Sequence, residues 1–177
     1  MNKTQHGHVS PEASKQDIHQ FLTFLLGGET FAIEISGIRE IIEFSGMTHV
    51  PLMPAFLRGV LNLRGAVVPV VDISIRFGRE ETVITSQTCV VILEVVHEDE
   101  IQPVGVLVDS VCEVVEIAAD DIEPTPTFGS MLRPEFIQGM GKVNGQFVVL
   151  LNVNYVLSIE EMAQISDAVE PSEPAFE

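Results

Sequence analysis

Basic side chains are scarce in this chain of 177 residues, where 9 Lys and Arg stand against 26 Asp and Glu. The formal net charge at pH 7 is therefore −17. Because binding to phosphate groups requires clustered Lys and Arg, this composition argues against nucleic acids and anionic membrane surfaces as partners.

Long hydrophobic runs and cysteines are also few. The apolar run at residues 66–71 is interrupted by Pro69, and no run approaches the roughly 20 residues that a membrane-spanning helix needs. Residues 1–8 lack the apolar core of a secretory signal. Cys89 and Cys112 lie in apolar stretches and are predicted to be reduced, buried small hydrophobes rather than a disulfide. These features predict a cytoplasmic protein that does not insert into a membrane.

Apolar residues are plentiful. The chain is 46% hydrophobic and 20% charged, with a mean hydropathy of +0.31, which excludes a disordered chain and indicates a sizeable core. Short runs rich in Val and Ile alternate with turns that contain Gly, Pro, Asn and Asp, a pattern typical of β-structure. The runs predicted as strands are residues 21–26, 31–35, 67–73, 90–96, 104–108, 111–117 and 147–153.

An internal repeat organises these runs. A shift of 80 residues aligns a proline, a phenylalanine and two glycines between the two halves, and a shift of 73 aligns residues 33–43 with residues 106–116. The second copy therefore carries a seven-residue insertion near residues 124–126. We expect two copies of one unit with about five short strands, packed together as two small β-barrels. The predicted barrels cover residues 19–87 and 88–157.

Both ends of the chain are predicted to lie outside the barrels. Residues 1–18 mix polar side chains without apolar periodicity and are expected to be a disordered tail. Ser158 and Glu161 form a capping box, which predicts a short C-terminal α-helix over residues 158–169. A disordered acidic tail is expected at residues 170–177.

The net charge is unevenly divided along the chain. Residues 1–88 have a balance of −2, whereas residues 89–177 have a balance of −15. If the two copies are separate lobes, the contact made by the acidic second lobe is expected to be the more salt-sensitive one. The first copy holds five arginines, at positions 39, 58, 64, 76 and 79.

The sequence contains no pattern that indicates catalysis, a metal site or a cofactor. The five histidines lack partners at metal-ligand spacing, and nucleophile and phosphate-loop motifs are missing. The alternative left open is a degenerate two-lobed aspartic hydrolase with Asp72 and Asp109 as its carboxylate pair. Neither aspartate stands in the Asp-Ser-Gly or Asp-Thr-Gly turn that such a pair requires. Both are therefore predicted to be strand-end or turn residues, and no enzyme is expected.

One hairpin turn differs between the two copies. The second copy has Asn-Gly at residues 144–145, which suits a type I′ turn, whereas the first copy has Arg-Gly beginning at Arg64. Glu40 recurs as Glu113 in the second copy, but the arginine does not recur. We hypothesise that Glu40 and Arg64 approach each other and shape a binding face of the first lobe. The alternative is an exposed turn arginine without a role.

The residues around this turn resemble the signature of the CheW family of bacterial chemotaxis coupling proteins. They read Pro-Ala-Phe-Leu-Arg-Gly-Val-Leu-Asn-Leu-Arg-Gly at 54–65 and Val-Val-Pro-Val-Val-Asp at 67–72. The similarity extends from about Gln20 to the final helix. It implies two packed five-stranded SH3-like β-barrels with a shared hydrophobic core, and a non-enzymatic adaptor in chemotaxis signal transduction.

The resemblance also implies partners and sites. The adaptor would join the cytoplasmic tips of methyl-accepting chemoreceptors to the histidine kinase CheA, whose regulatory domain shares the fold, in arrays at the inner face of the membrane. Rings formed with further copies of the adaptor are an open alternative. The family's partner-contacting turn corresponds to Asn62, Leu63, Arg64 and Gly65.

A helical receptor tip would lie in an apolar groove between the barrels, because apolar anchors on one helix face need a hydrophobic trough. By the same resemblance this groove is lined around Ile38, Ile41 and Val108. The alternative for each of these three residues is a plain core position.

Overall fold

Short β-strands dominate the computed structural model, which describes residues 17–125 and 133–158. The strands are β1 (Ile18–Leu26), β2 (Glu29–Glu34), β3 (Ile38–Glu43), β4 (Leu57–Leu63), β5 (Ala66–Asp72), β6 (Cys89–His97), β7 (Glu100–Val108), β8 (Ser110–Ala118), β9 (Ile122–Glu123), β10 (Ile137–Val143) and β11 (Gln146–Leu151). Two one-turn α-helices, α1 (Ile73–Arg76) and α2 (Val153–Val156), follow β5 and β11. Single 3-10 turns lie at Ile35–Gly37, Ala119–Asp121 and Pro134–Phe136.

The strands form two sheets. Lobe A (residues 17–34, 110–125 and 133–158) contains a six-stranded sheet with the order β8-β1-β2-β11-β10-β9. Lobe B (residues 38–108) contains a five-stranded sheet with the order β3-β6-β7-β5-β4. Neighbouring strands are antiparallel except for the parallel pairs β2–β11 and β5–β7. The predicted mainly β fold with two SH3-like lobes is confirmed.

The repeat has the same secondary structure in both copies. The hairpin β4–β5 with α1 recurs as β10–β11 with α2 at an offset of 80 residues. The predicted barrel boundary between residues 87 and 88 is nevertheless wrong, because it divides lobe B between β5 and β6. Each copy places its first hairpin, β1–β2 or β6–β7, in one lobe and its later strands in the other. A parallel strand pair then joins the two copies within each lobe.

Glycines at equivalent positions of β4 and β10 leave room for a neighbouring segment to lie close to each strand. A Cβ atom on Gly59 would lie 2.5 Å from the carbonyl oxygen of Thr48, which pairs with Val60. A Cβ atom on Gly139 would lie 2.6 Å from Ile122, whose strand β9 pairs with β10 in the same manner. The coincidence of these glycines in the sequence repeat therefore reflects a steric requirement.

A shared core lies between the lobes, as the resemblance implied. It contains side chains from both sheets, and a chain of ring contacts runs through Phe24, Phe31, Phe77 and Phe136. Two smaller clusters fill the individual lobes. Arg76 also connects the lobes, because its Nε donates a hydrogen bond to the Val156 carbonyl (3.0 Å) and its guanidinium lies 4.9 Å from the Phe136 ring centre.

The ends of the described chain differ in part from the prediction. Strand β1 begins at Ile18, inside the predicted tail of residues 1–18, and residues 1–16 lie outside the described residues. The predicted helix at residues 158–169 and the tail at 170–177 also lie outside them, apart from Ser158. None of the helices in the described part of the chain has the length and apolar composition needed to cross a membrane.

The two cysteines are free thiols, as predicted. Cys89 is half-buried, but the predicted burial of Cys112 is wrong because this residue is exposed on β8. Burial raises the pKa of the Cys89 thiol, so this group stays protonated and weakly nucleophilic.

The division of charge along the chain does not follow the lobes. Described residues of lobe A include nine acidic and two basic side chains, whereas lobe B has nine acidic side chains and all five arginines of the first copy. The acidic second half of the sequence is therefore divided between the two lobes, because β6 and β7 belong to lobe B. Lobe A is still the more acidic lobe, so the expected salt sensitivity now applies to its contacts.

Candidate partner-binding site

A tight turn presents Arg64 at the end of the β4–β5 hairpin. Arg64 and Gly65 have φ values of 53° and 90°, the left-handed pair that a type I′ turn requires. The Asn62 side chain supports the turn, because its Oδ1 accepts a hydrogen bond from the Gly65 amide (2.7 Å). Leu63 is half-buried against the core of lobe B and fixes the base of the turn. The four residues predicted as a partner-contacting turn thus form one hydrogen-bonded turn that is packed at its base.

Glu40 clamps this turn from strand β3, which lies at the opposite edge of the strand order from β4. The Arg64 guanidinium donates two parallel hydrogen bonds, from Nη1 to Glu40 Oε2 (2.7 Å) and from Nη2 to Glu40 Oε1 (2.8 Å). The hypothesis that these residues approach each other is confirmed. The hydrogen bond from Arg64 lowers the pKa of Glu40, and the carboxylate raises the pKa of Arg64. Both groups therefore stay charged, and the fork geometry fixes the direction of the arginine side chain.

The three predicted groove residues lie in different environments. Ile38, the first residue of β3, is half-buried against the shared core, and Ile41 is 42% exposed. Val108 is fully buried in the shared core, so its predicted place on a groove surface is wrong. Both faces of β7 are covered near its end, because Val106, Leu107 and Val108 are all buried.

Val111 was not predicted as a site residue. It lies at the seam, which is the margin of the shared core where the two lobes meet. It is half-buried against the shared core and is the repeat equivalent of Ile38. The shift of 73 residues could have identified it, since this shift aligns the two positions directly. Ile38 and Val111 are thus one pair of partly exposed apolar residues that the repeat places at corresponding positions of the two lobes.

The aspartates of the hydrolase alternative have structural roles. The fully buried Asp72 carboxylate accepts hydrogen bonds from the Thr82 amide (2.8 Å), the Thr82 hydroxyl (2.9 Å), the Ser74 amide (3.0 Å) and Arg58 Nη1 (3.1 Å). Asp109 accepts from the Gly27 amide (2.8 Å). These contacts fill the Asp72 oxygens and tie each aspartate to a turn, so the hydrolase alternative has no support.

A clamped surface turn and half-buried apolar residues beside a core shared by two lobes are typical of surfaces that bind other proteins. The buried Asp72 carboxylate accepts its hydrogen bonds from Arg58, Ser74 and Thr82, so these contacts stabilise the fold. The fold and the site thus define a protein-interaction module of the scaffold class.

The chain belongs to the CheW family. The family model described as the CheW-like domain matches residues 20–161. The chemotaxis protein CheW of Klebsiella aerogenes is 32% identical over 159 residues, which cover 90% of this chain and 93% of that protein. The chemotaxis protein CheW of Helicobacter pylori is 32% identical over 148 residues, which cover 84% of this chain and 87% of that protein.

A solved structure gives the same assignment. The crystal structure of the scaffolding protein TtCheW from Thermoanaerobacter tengcongensis matches with a TM-score of 0.70 and 27% sequence identity. The match covers 78% of this chain and 86% of that one. The resemblance that the sequence signature carried is therefore confirmed, together with the role of a chemotaxis coupling adaptor.

Proposed function

We propose that this chain is a non-enzymatic adaptor that couples the cytoplasmic tips of methyl-accepting chemoreceptors to the regulatory domain of the histidine kinase CheA. The observation that carries this proposal is the bidentate clamp between Glu40 and Arg64, which holds an exposed guanidinium in one direction. An exposed ion pair adds little to folding stability. Its geometry therefore favours a role in partner recognition.

The kinase contact is assigned to the turn of residues 62–65 in lobe B. Arg64 is 70% exposed as a side chain despite its two hydrogen bonds, so it can meet a partner while clamped. Val67, which follows the turn, is also 70% exposed and adds an apolar contact. A rigid charged group beside apolar surface is typical of interface hot spots.

The receptor contact is assigned to the seam between the lobes, at Ile38 and Ile41 of β3 and at Val111 of β8. Half-buried apolar side chains at such a seam can accept the apolar face of a receptor helix. Binding to receptor tips would recruit the protein to arrays at the inner face of the membrane. Lobe-to-lobe contacts with further copies of the adaptor would form rings within these arrays.

A capture experiment with two baits tests the proposal. A receptor signalling tip and a CheA regulatory domain are immobilised separately, and binding of the unmodified protein, Arg64→Ala and Ile38→Glu is measured. We expect Arg64→Ala to lose kinase binding more than receptor binding. Ile38→Glu should lose receptor binding more than kinase binding, because an unpaired carboxylate costs several kcal/mol when it is buried in an apolar contact.

Two matched controls separate binding from folding. Lys142→Ala removes an exposed cation from β10 of lobe A, and Ile101→Glu places a carboxylate at an apolar position that is 65% exposed near the end of the β6–β7 hairpin. Both controls should retain both partners. Failure of the unmodified protein to bind either bait would contradict the adaptor function, and equal losses of both partners would contradict the assignment of the two sites.

A further inference from the structure

Lobe A has the glutamate of the lobe B clamp but lacks its arginine. Glu113 occupies the position of Glu40, and Asn144 occupies the position of Arg64. The backbone of the two turns is nearly the same, because Asn144 and Gly145 have φ values of 51° and 82°. The Glu113 carboxylate forms no ion pair within residues 17–125 and 133–158.

An open cavity of lobe A lies beside Asn144, at the position equivalent to that of the Arg64 side chain in lobe B. Its volume is about 510 Å³, and both Glu113 and Asn144 line it. In lobe B the equivalent surface is crossed by the Arg64 side chain on its way to Glu40. The cavity therefore corresponds to the place that a guanidinium and its aliphatic stem occupy in the other copy.

Two hydrogen bonds fix the main chain of Glu113 beside this cavity. The register of β1 and β8 shifts between Leu22 and Phe24, and the Thr23 side chain bridges the irregularity. Its hydroxyl oxygen accepts from the Glu113 amide (3.1 Å) and its hydroxyl donates to the Glu113 carbonyl (2.9 Å). The β3–β6 register of lobe B also shifts, between Ile38 and Glu40. Both glutamates thus stand at the same kind of fixed irregularity.

The walls of the cavity suit a guanidinium. Phe147, which lines it, is 51% exposed and offers an aromatic face, whereas the equivalent residue of lobe B is Val67. The second carboxylate of the lining, Glu29, is already paired with Arg79 (2.6 Å), so Glu113 supplies the free negative charge. The acidic surface of lobe A attracts cations toward this site.

We propose that this cavity is a docking site for an arginine side chain presented by a different protein rather than by a second copy of this chain. Glu113 accepts the guanidinium from the partner as Glu40 accepts Arg64 within the chain, and Phe147 packs against its face. The lining of this site shares no residue with the turn of residues 62–65 or with Ile38, Ile41 and Val111, so the test below does not depend on the function proposed for them.

A titration with a small probe tests the site directly. N-acetyl-arginine amide is added to the full chain, and amide chemical shifts are followed by NMR, with N-acetyl-citrulline amide as the neutral isostere. We expect saturable shifts at residues 112–113 and 144–147 with the arginine probe only. Glu113→Gln should weaken the affinity by about fivefold, the upper range for an exposed charge pair.

A second variant fills the cavity from within the chain. Asn144→Arg should form the lobe B clamp with Glu113 and abolish probe binding, and its fold should persist because Arg64 adopts the same turn geometry. Thermal unfolding of Asn144→Arg checks this. Glu116→Gln is the matched control, since it removes the same charge from another exposed position of β8. It should bind the probe like the unmodified protein.

Several outcomes would overturn the proposal. These are the lack of saturable shifts, equal binding of the citrulline probe, unchanged binding by Glu113→Gln, an equal loss with Glu116→Gln, and probe binding that persists in Asn144→Arg. Self-association of the chain that the arginine probe reverses, measured by sedimentation velocity, would identify a second copy as the occupant and would also overturn the assignment to a different protein.

Discussion

At the scale of the residue, the clamp between Glu40 and Arg64 joins two positions 24 apart in sequence. The comparison of repeats predicted it, because a glutamate that recurs beside an arginine that does not recur indicates a pair specific to one lobe. Val108 could not be placed in this way. An alternating pattern separates core from surface only where one face of a strand is exposed, and the end of β7 is covered on both faces.

The clamp makes a prediction about protonation of Glu40. Replacing Arg64 with Gln removes the cation that lowers the pKa of this carboxyl. We expect the titration midpoint of Glu40, followed by carboxyl ¹³C NMR, to rise in Arg64→Gln toward its ordinary value near 4.5. The stability that the clamp contributes is complete above that ordinary value. It is lost as the pH falls through the lowered native pKa.

Arg39→Gln is the control for this titration. Arg39 acts on Glu40 only through a weaker long-range attraction, so its loss should move the midpoint less than the loss of Arg64. Equal shifts in the two variants would show that the pKa of Glu40 depends on the surrounding positive charge and not on the clamp.

At the scale of the element, Asp72 ends β5, caps α1 and anchors the connection that leads to β6. Its carboxylate is contacted by Ser74 in the helix, by Thr82 in the connection and by Arg58 on β4. The sequence predicted a strand-end aspartate, but not this network. Thr82 lies ten residues from Asp72 and belongs to no periodic pattern. The two one-turn helices were missed because the predicted strands ran on to Ile73 and Val153, the first residues of α1 and α2.

Removal of the Asp72 carboxylate should destabilise the protein strongly. Asp72→Ala leaves Arg58 and the Thr82 amide without their buried acceptor, and we expect a loss of about 3–5 kcal/mol in the free energy of unfolding. Urea unfolding followed by circular dichroism measures this loss.

Asn152→Ala is the matched control, because Asn152 is the repeat equivalent of Asp72 and its side chain makes no capping hydrogen bond at α2. Its expected loss is below about 1 kcal/mol. Similar losses for the two variants would contradict the anchoring role of Asp72.

At the scale of the whole molecule, the sequence correctly indicated a duplicated β unit and a shared core, but the repeats are not the lobes. The repeat identifies which strands are equivalent and carries no information about which of them pair. Pairing depends on tertiary contacts such as the parallel pair β2–β11, between segments more than 100 residues apart. The two halves of the chain are consequently interdependent.

This interdependence predicts the behaviour of half-chains. Residues 1–87 and residues 88–177, produced separately, each lack strands required by both lobes. We expect neither fragment to give the dispersed amide NMR spectrum of a folded protein, whereas an equimolar mixture should recover it. A folded spectrum from either fragment alone would contradict the exchange of hairpins between the copies.

Apart from β9, the two sheets share one order of equivalent strands. In lobe B, residues 77–88 connect α1 to β6. In lobe A, Ser158 after α2 and Asp17 before β1 occupy the positions equivalent to the two ends of that connection. These two described ends in lobe A thus correspond to one continuous segment of a dozen residues in lobe B.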